Sequence, residues 1–88
     1  MPAANQLRNI FEFIAAGNPV AAYRTIRRIR EAILLTVRMP SSGRAGRVDG
    51  TREITVSGTS YLVAYKIVDN LIHVLAILHG AQEWPESF

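Results

Sequence analysis

Apolar positions follow a helical spacing in the first half of the chain. Four of them are spaced i, i+3, i+4, i+7: Leu7, Ile10, Phe11 and Ile14. This spacing predicts an amphipathic helix over residues 3–16. Asn18 and Pro19 then form a helix start, because asparagine caps free backbone N–H groups and proline needs no hydrogen bond at the first helical position. A second helix is predicted to end before Pro40, so that residues 3–38 form an antiparallel helical hairpin.

The predicted second helix has an apolar arc and a basic arc. The apolar arc consists of Ala22, Ile26, Ile29, Ile33, Leu34 and Val37. The other arc contains Arg24, Arg27, Arg28 and Glu31. Arg30 projects into the apolar arc, so its stem must lie along apolar surface with its charge in water, or it must pair with a carboxylate such as Glu12 or Glu53.

Strand-like apolar runs follow residue 50. There are three of them, at residues 51–57, 60–68 and 71–79. The Asp69-Asn70 pair tolerates positive φ and predicts a two-residue hairpin turn, so residues 51–79 should form an antiparallel β-meander. The predicted fold class is α+β: one domain with the helical hairpin packed on a three-stranded antiparallel sheet, and with residues 80–88 as a C-terminal cap.

The predicted turn assigns side chains to the two faces of the sheet. Pairing outward from the turn places Tyr65 opposite Val74, Val63 opposite Ala76 and Tyr61 opposite Leu78, on an apolar face that should cover the helices. The other face would carry Leu62, Ala64, Lys66, His73, Leu75, Ile77 and His79. Because that face mixes polar and apolar residues, we interpret it as a candidate binding groove.

Composition excludes several kinds of site. The 88 residues include no cysteine and two histidines, so neither a disulfide framework nor a zinc site is predicted, and we expect no metal and no cofactor. No apolar run approaches the roughly 18 residues of a membrane span, and the N-terminus lacks a signal pattern. The predicted location is cytoplasmic, without a membrane partner.

Charge is concentrated in the middle of the chain. The net charge is +3, and eight of the nine arginines lie between Arg24 and Arg52. Arg44 and Arg47 belong to a joint of residues 40–50 that is rich in glycine and serine. Turning the chain requires no arginine, and guanidinium groups suit phosphate or carboxylate contacts, so these two favour contact with an anionic surface. For the helix arginines, a solvated helix face is the alternative interpretation.

Taken in order, these segments resemble the RelE/ParE superfamily of toxins from bacterial type II toxin–antitoxin modules. The resemblance rests on the helical hairpin, Pro40, the joint, and the motifs "GTREI", "YLVAY", "IHVLAILH" and "WP". It covers nearly the whole chain and implies a toxin that a cognate antitoxin neutralises. Members usually begin with a β-strand that is missing here, which would leave an unpaired sheet edge. A homodimer through that exposed edge is an option that the sequence leaves open.

The superfamily resemblance implies one of two activities. The nuclease branch commonly shows a Tyr-Arg-x-x-Tyr pattern, whereas this chain has leucine at Leu62 between Tyr61 and Tyr65. The resemblance is therefore closer to the ParE-like branch, which implies inhibition of DNA gyrase. The alternative is a RelE-like endoribonuclease acting on ribosome-bound mRNA, with Arg52 and His79 as catalytic candidates. An inactive or truncated interaction module is a further alternative.

Seven residues are predicted to contact the target or the antitoxin: Arg24, Arg28, Arg44, Arg47, Lys66, His73 and Trp84. The cations suit phosphates and carboxylates, and Trp84 could stack on a base or pack against the domain. Two of the catalytic candidates also have structural interpretations. Arg52 would bridge to Glu12 or another acid, and His79 would hydrogen-bond the C-terminal cap.

Overall fold

A helical hairpin packs against one face of an antiparallel sheet in this computed structural model, which describes residues 2–80, with the backbone alone for residues 2 and 3. The elements in chain order are α1 (Pro2–Ala15), α2 (Pro19–Arg38), a 3-10 turn (Pro40–Ser42), β1 (Arg44–Ala45), β2 (Arg52–Thr55), β3 (Tyr61–Val68) and β4 (Leu71–His79). The α+β class predicted from the sequence is confirmed.

The helices begin and end where local chemistry predicts. The Asn18 side chain accepts a hydrogen bond from the Ala21 N–H at 3.1 Å, and Pro19 occupies the first turn of α2. At the other end, the Met39 N–H donates to the Leu35 carbonyl and Pro40 follows. These contacts satisfy backbone groups that the helix itself leaves unpaired.

The sheet has four strands in the order β1-β2-β3-β4, all antiparallel, so the prediction of three strands is wrong. The additional strand comes from the joint, where Arg44 pairs with Glu53 and Ala45 pairs with Arg52. Because β1 is only two residues long, it has no alternation of apolar and polar residues from which the sequence could predict a strand.

A β-bulge in β4 changes the predicted register. Asp69 and Asn70 have φ values of 51° and 64°, as a two-residue turn of this kind requires, and Tyr65 lies opposite Val74 as predicted. Leu75 is then left without a partner, because the next pair along the strand is Ala64 with Ala76.

The pairs beyond the bulge differ from the prediction. Val63 lies opposite Ile77 instead of Ala76, and Tyr61 lies opposite His79 instead of Leu78. The predicted pairing was wrong there because it assumed uninterrupted alternation. A run that is apolar on both faces cannot reveal an inserted residue.

The main core lies between the helices and the sheet. Its buried members are Ile26, Ile29, Ala32, Val56, Val63 and Ile77. In contrast to the predicted apolar arc, Leu34 and Val37 are 54% and 58% exposed, whereas Thr36 is fully buried and donates its hydroxyl to the Ile33 carbonyl. The buried stripe of α2 is therefore shifted around the helix from the predicted apolar arc, since it includes Ala32 and Thr36 and leaves Leu34 and Val37 exposed.

The sheet face that points away from the helices is also largely buried. Ala64, Ala76 and Leu78 form a second apolar cluster, and Leu62 is 6% exposed. Ile77 and His79 lie on the helix side instead, since they pair with Val63 and Tyr61. The predicted mixed groove therefore does not form as an open surface, and only its outer part, at Lys66 and His73, is exposed.

Candidate partner-binding surface

A groove runs between the two helices on the outer side of the hairpin. It has a volume of about 330 Å³ and is lined by Ala4, Leu7, Arg8, Phe11, Tyr23, Ile26 and Arg30. The rings of Phe11 and Tyr23 meet edge to face with centroids 5.0 Å apart, although Tyr23 is 68% exposed. We call this the interhelical groove. Its aromatic and aliphatic lining suits apolar side chains, and its two guanidinium groups suit carboxylates.

Arg30 lines this groove with its side chain in solvent. Its predicted pairing with Glu12 or Glu53 is wrong, because Glu53 pairs with Arg44 and no carboxylate within residues 2–80 lies within salt-bridge distance of Arg30. The alternative interpretation agrees with the structure: the stem lies along the apolar groove while the charge stays in water.

Next to the groove, α2 presents a basic stripe, which we define as Arg24, Arg27 and Arg28. Together with Glu31 these residues line a shallow depression of about 360 Å³. Arg24 and Arg27 are exposed, and no carboxylate in the described part of the chain is within salt-bridge distance of either. Arg28 is half-buried and donates to the Ser57 carbonyl at 3.1 Å, so its guanidinium is partly occupied.

Arg27 therefore belongs among the candidate contacts, although only Arg24 and Arg28 of this stripe were predicted from the sequence. The sequence signal for Arg27 was its i, i+3 spacing from Arg24, which puts the two side chains on the same helix face. The groove and the stripe together make an apolar surface bordered by the exposed cations Arg24 and Arg27. Such a surface suits an amphipathic acidic segment.

The joint is organised around a buried carboxylate. The Glu53 side chain is 1% exposed and accepts from the Arg44 guanidinium at 3.3 Å and from the Arg47 backbone N–H at 2.7 Å. Arg44 thus has a structural role, contrary to the expectation that it serves contact alone. Its side chain is 62% exposed, so part of its surface stays accessible. Glu53 was not predicted as a site residue, since nothing in the local sequence pattern distinguishes it from other strand residues.

Tyr65 ties the joint to the end of α2. Its hydroxyl accepts from the Gly43 N–H at 2.9 Å and donates to the Pro40 carbonyl at 2.8 Å. Arg52 donates to the Gly43 carbonyl at 2.8 Å, and no carboxylate within residues 2–80 lies within salt-bridge distance of it, so the expected bridge from Arg52 to Glu12 or another acid does not form there. A Cβ atom at Gly43 would lie 2.5 Å from the Tyr65 hydroxyl, so only glycine allows this approach. The joint is consequently an ordered polar network.

The two catalytic candidates of the nuclease interpretation lie far apart. Arg52 pairs with Tyr65, and His79 pairs with Tyr61, on opposite sides of β3. Four residues along a strand and two strand spacings separate their backbones by about 16 Å. The ring of His79 meets Tyr61 edge to face, with centroids 5.4 Å apart. The structure does not bring these two groups together. Leu62 points to the face opposite His79, which corrects the expectation that they share a side.

The remaining predicted contacts fall in two places. Lys66 and His73 are a cross-strand pair, both exposed, on the face away from the helices and close to the β3–β4 turn. They are separated from the basic stripe by the sheet. Trp84 lies outside the described residues.

Two further findings concern the described part of the chain. Within residues 2–80 no three His, Asp or Glu side chains come together as a metal site would require. None of the described helices is long and apolar enough to cross a membrane.

Known proteins are similar to this chain in sequence and in fold. Residues 1–84 match the family model described as "ParE toxin of type II toxin-antitoxin system, parDE". The curated protein "Putative toxin Y4kP" of Sinorhizobium fredii (strain NBRC 101917 / NGR234) is 33% identical over 84 residues, which cover 96% of this chain and 86% of that protein. The solved structure "Chromosomal ParDE TA system from P. aeruginosa" is similar with a TM-score of 0.79, covering 89% of this chain and 87% of that chain at 22% identity.

Proposed function

Since the chain belongs to the ParE toxin family of type II toxin–antitoxin systems, we propose that it inhibits DNA gyrase and that a cognate antitoxin neutralises it. This extends the ParE-like assignment, which rested on sequence motifs, to a target and a partner. It keeps the cytoplasmic location predicted from the sequence, where gyrase acts.

The observation that carries the choice of gyrase over mRNA is the separation of Arg52 from His79. Phosphodiester cleavage needs cationic donors aimed at the developing charge and an acid or base within hydrogen-bond reach of the same phosphate. The Arg52 guanidinium is engaged with the Gly43 carbonyl, and the two backbones are about 16 Å apart by strand geometry. At the position where the nuclease branch has arginine, Leu62 is packed and 6% exposed.

Inhibition without hydrolysis requires only a binding surface, and the joint supplies one. Arg47 is exposed, and Arg44 keeps more than half of its side chain accessible while it pairs with Glu53. The buried carboxylate holds the backbone at Arg47 and the guanidinium of Arg44, so the backbone position of Arg47 and the direction of the Arg44 side chain are set before a target arrives. Preorganised cations of this kind lose little conformational entropy on binding.

The antitoxin is assigned to the interhelical groove and the basic stripe. Val20, which is 66% exposed, lies beside Tyr23 and extends the apolar surface beyond the groove. Arg24 and Arg27 border it with exposed positive charge. An acidic segment with apolar residues at helical spacing would match both features, and rim charges would raise its association rate.

Two assays on one preparation of the toxin test whether its target is gyrase or mRNA. Free toxin should inhibit gyrase supercoiling, inhibition should be relieved by antitoxin, and ribosome-dependent mRNA cleavage should be absent. Arg47→Ala should weaken inhibition, whereas the control Arg38→Ala, also an exposed arginine, should not. Position-specific mRNA cleavage that disappears in His79→Ala would overturn the gyrase proposal in favour of the nuclease.

The proposed docking of the antitoxin on the basic stripe is tested by changing the salt concentration and the charges on α2. The affinity should fall as salt rises, and again in Arg24→Glu/Arg27→Glu, with Arg38→Glu as the control for a charge reversal elsewhere on α2. Arg28 is left unchanged because its bond to Ser57 supports the fold. Equal affinity of the double variant and the parent at all salt concentrations would refute docking on the basic stripe.

A further inference from the structure

The exposed face of α2 carries more positive charge than any other described element. The helix contains five arginines and one acid, Glu31. Arg24, Arg27 and Arg30 are exposed, and within residues 2–80 no carboxylate lies within salt-bridge distance of them. We call these three the outer arginines. Arg28 is not among them, because it is half-buried and its guanidinium already donates to a backbone carbonyl.

The outer arginines lie close together along the helix. Six positions separate Arg24 from Arg30, which corresponds to about 9 Å of helix axis. Arg38, the remaining arginine of α2, lies about 12 Å beyond Arg30, past the exposed apolar residues Leu34 and Val37. The outer arginines therefore form one compact cluster of positive charge, separate from Arg38.

An exposed tyrosine lies within this cluster. Tyr23 lines one depression of about 290 Å³ with Arg24 and Arg27, and another of about 360 Å³ with Arg27 and Arg30. The residue is 68% exposed. Arginine and tyrosine side chains both donate to phosphate oxygens in complexes of proteins with DNA. The cluster thus presents four side chains whose donors suit phosphate groups.

The spacing of the outer arginines fits the charge density of duplex DNA. The duplex carries one negative charge per about 1.7 Å of its axis, so a length of about 9 Å presents about five phosphates. Three cations along the same length can each contact a different phosphate.

We propose that the outer arginines bind the backbone phosphates of duplex DNA without reading its sequence. Single strands are bound by successive bases that stack on aromatic side chains, but Tyr23 is the only aromatic residue that lines these depressions. This binding is additional to gyrase inhibition. Because Arg24 and Arg27 also border the surface proposed for the antitoxin, one chain cannot hold both partners there at once.

Glu31 opposes DNA binding and therefore provides a test. It is exposed and lines the same depression as Arg27 and Arg30. In water, a carboxylate about 7 Å from a phosphate repels it enough to change the affinity about threefold. Glu31→Gln should therefore tighten DNA binding about threefold. An unchanged or weaker affinity in Glu31→Gln would show that DNA does not lie on this face of α2.

Fluorescence anisotropy of a short labelled duplex of mixed sequence, titrated with the free toxin, measures the number of contacts. For three phosphate contacts, the logarithm of the affinity should fall with the logarithm of the salt concentration at a slope of about −2.7. Between about 50 mM and about 200 mM salt this slope amounts to about a 40-fold loss. Arg24→Ala/Arg27→Ala should reduce the slope to about −0.9. The matched control Arg38→Ala should keep the slope of the parent.

The substituted side chains are exposed and alanine favours helix, so these variants should keep the fold. Absence of duplex binding at about 50 mM salt would overturn the proposal. A slope that Arg38→Ala reduces as much as Arg24→Ala does would overturn it too, since net charge alone would then attract the DNA. Tighter binding of a single strand that is lost in Tyr23→Ala would assign the cluster to base stacking instead.

These measurements contain neither gyrase nor antitoxin. Failure of DNA binding therefore leaves the proposed gyrase inhibition standing, and failure of gyrase inhibition leaves DNA binding standing.

Discussion

Replacing Tyr65 with phenylalanine tests whether the joint is held by one hydroxyl. The residue is fully buried, and its oxygen bonds both the Gly43 N–H and the Pro40 carbonyl. Tyr65→Phe keeps the ring and therefore the packing of β3 against the end of α2. It leaves a buried donor at Gly43 and an acceptor at Pro40 without their partner.

The expected loss in the free energy of unfolding follows from the two lost hydrogen bonds. A typical hydrogen bond contributes about 0.5–1.5 kcal/mol net, so Tyr65→Phe should lower the free energy of unfolding by about 1–3 kcal/mol. That is a large part of the about 5–15 kcal/mol that stabilises a domain. For a chain of this size each kcal/mol shifts the melting temperature by about 4–8 °C.

Urea unfolding followed by circular dichroism measures this loss, with Tyr61→Phe as the matched control. Within residues 2–80 the Tyr61 hydroxyl makes no hydrogen bond, so its removal should change stability by less than about 0.5 kcal/mol. Amide exchange at Gly43 should also accelerate in Tyr65→Phe. Equal stability of the two variants, or unchanged exchange at Gly43, would show that the hydroxyl does not hold the joint.

Two further predictions concern local contacts. Arg44→Met should lower the free energy of unfolding by about 1–2 kcal/mol, because the buried Glu53 carboxylate then keeps only the Arg47 backbone N–H as a donor. The double variant Arg44→Met/Glu53→Gln should recover part of that loss, because it removes the buried charge. Thermal unfolding that shows equal losses in the single and the double variant would contradict this. Asn18→Ala should cost about 1 kcal/mol through the lost bond to the Ala21 N–H; an unchanged urea midpoint would show that the cap contributes nothing.

The sequence by itself determined the features that depend on neighbouring residues. The helical periods around Leu7, the Asn18 cap and the Asp69-Asn70 turn each involve groups within about four positions of one another, so local patterns were sufficient. The basic stripe was also predicted as an arc of α2, because residues three and four apart share a helix face. The α+β class follows from the order of these elements.

Tertiary structure decided whatever depends on distant partners. The bulge at Leu75 arises where both sheet faces are buried, so either register would satisfy the apolar pattern, and packing of Ile77 into the core selects one. The same selection moves His79 to the helix side, away from Leu62. Sequence alternation alone could not detect this change of face.

In the candidate site, too, the partners of charged side chains depended on the tertiary structure and not on the local sequence. Arg30 was expected to find an acid and instead lines a solvent-open groove, while Glu53, one of its proposed partners, pairs with Arg44 in the adjacent strand. An arginine can pair with any carboxylate that the fold brings within about 4 Å, and the spacing along the chain carries no information about that distance. The strand pairing of the joint decides it, because β1 brings Arg44 beside the one carboxylate that β2 buries.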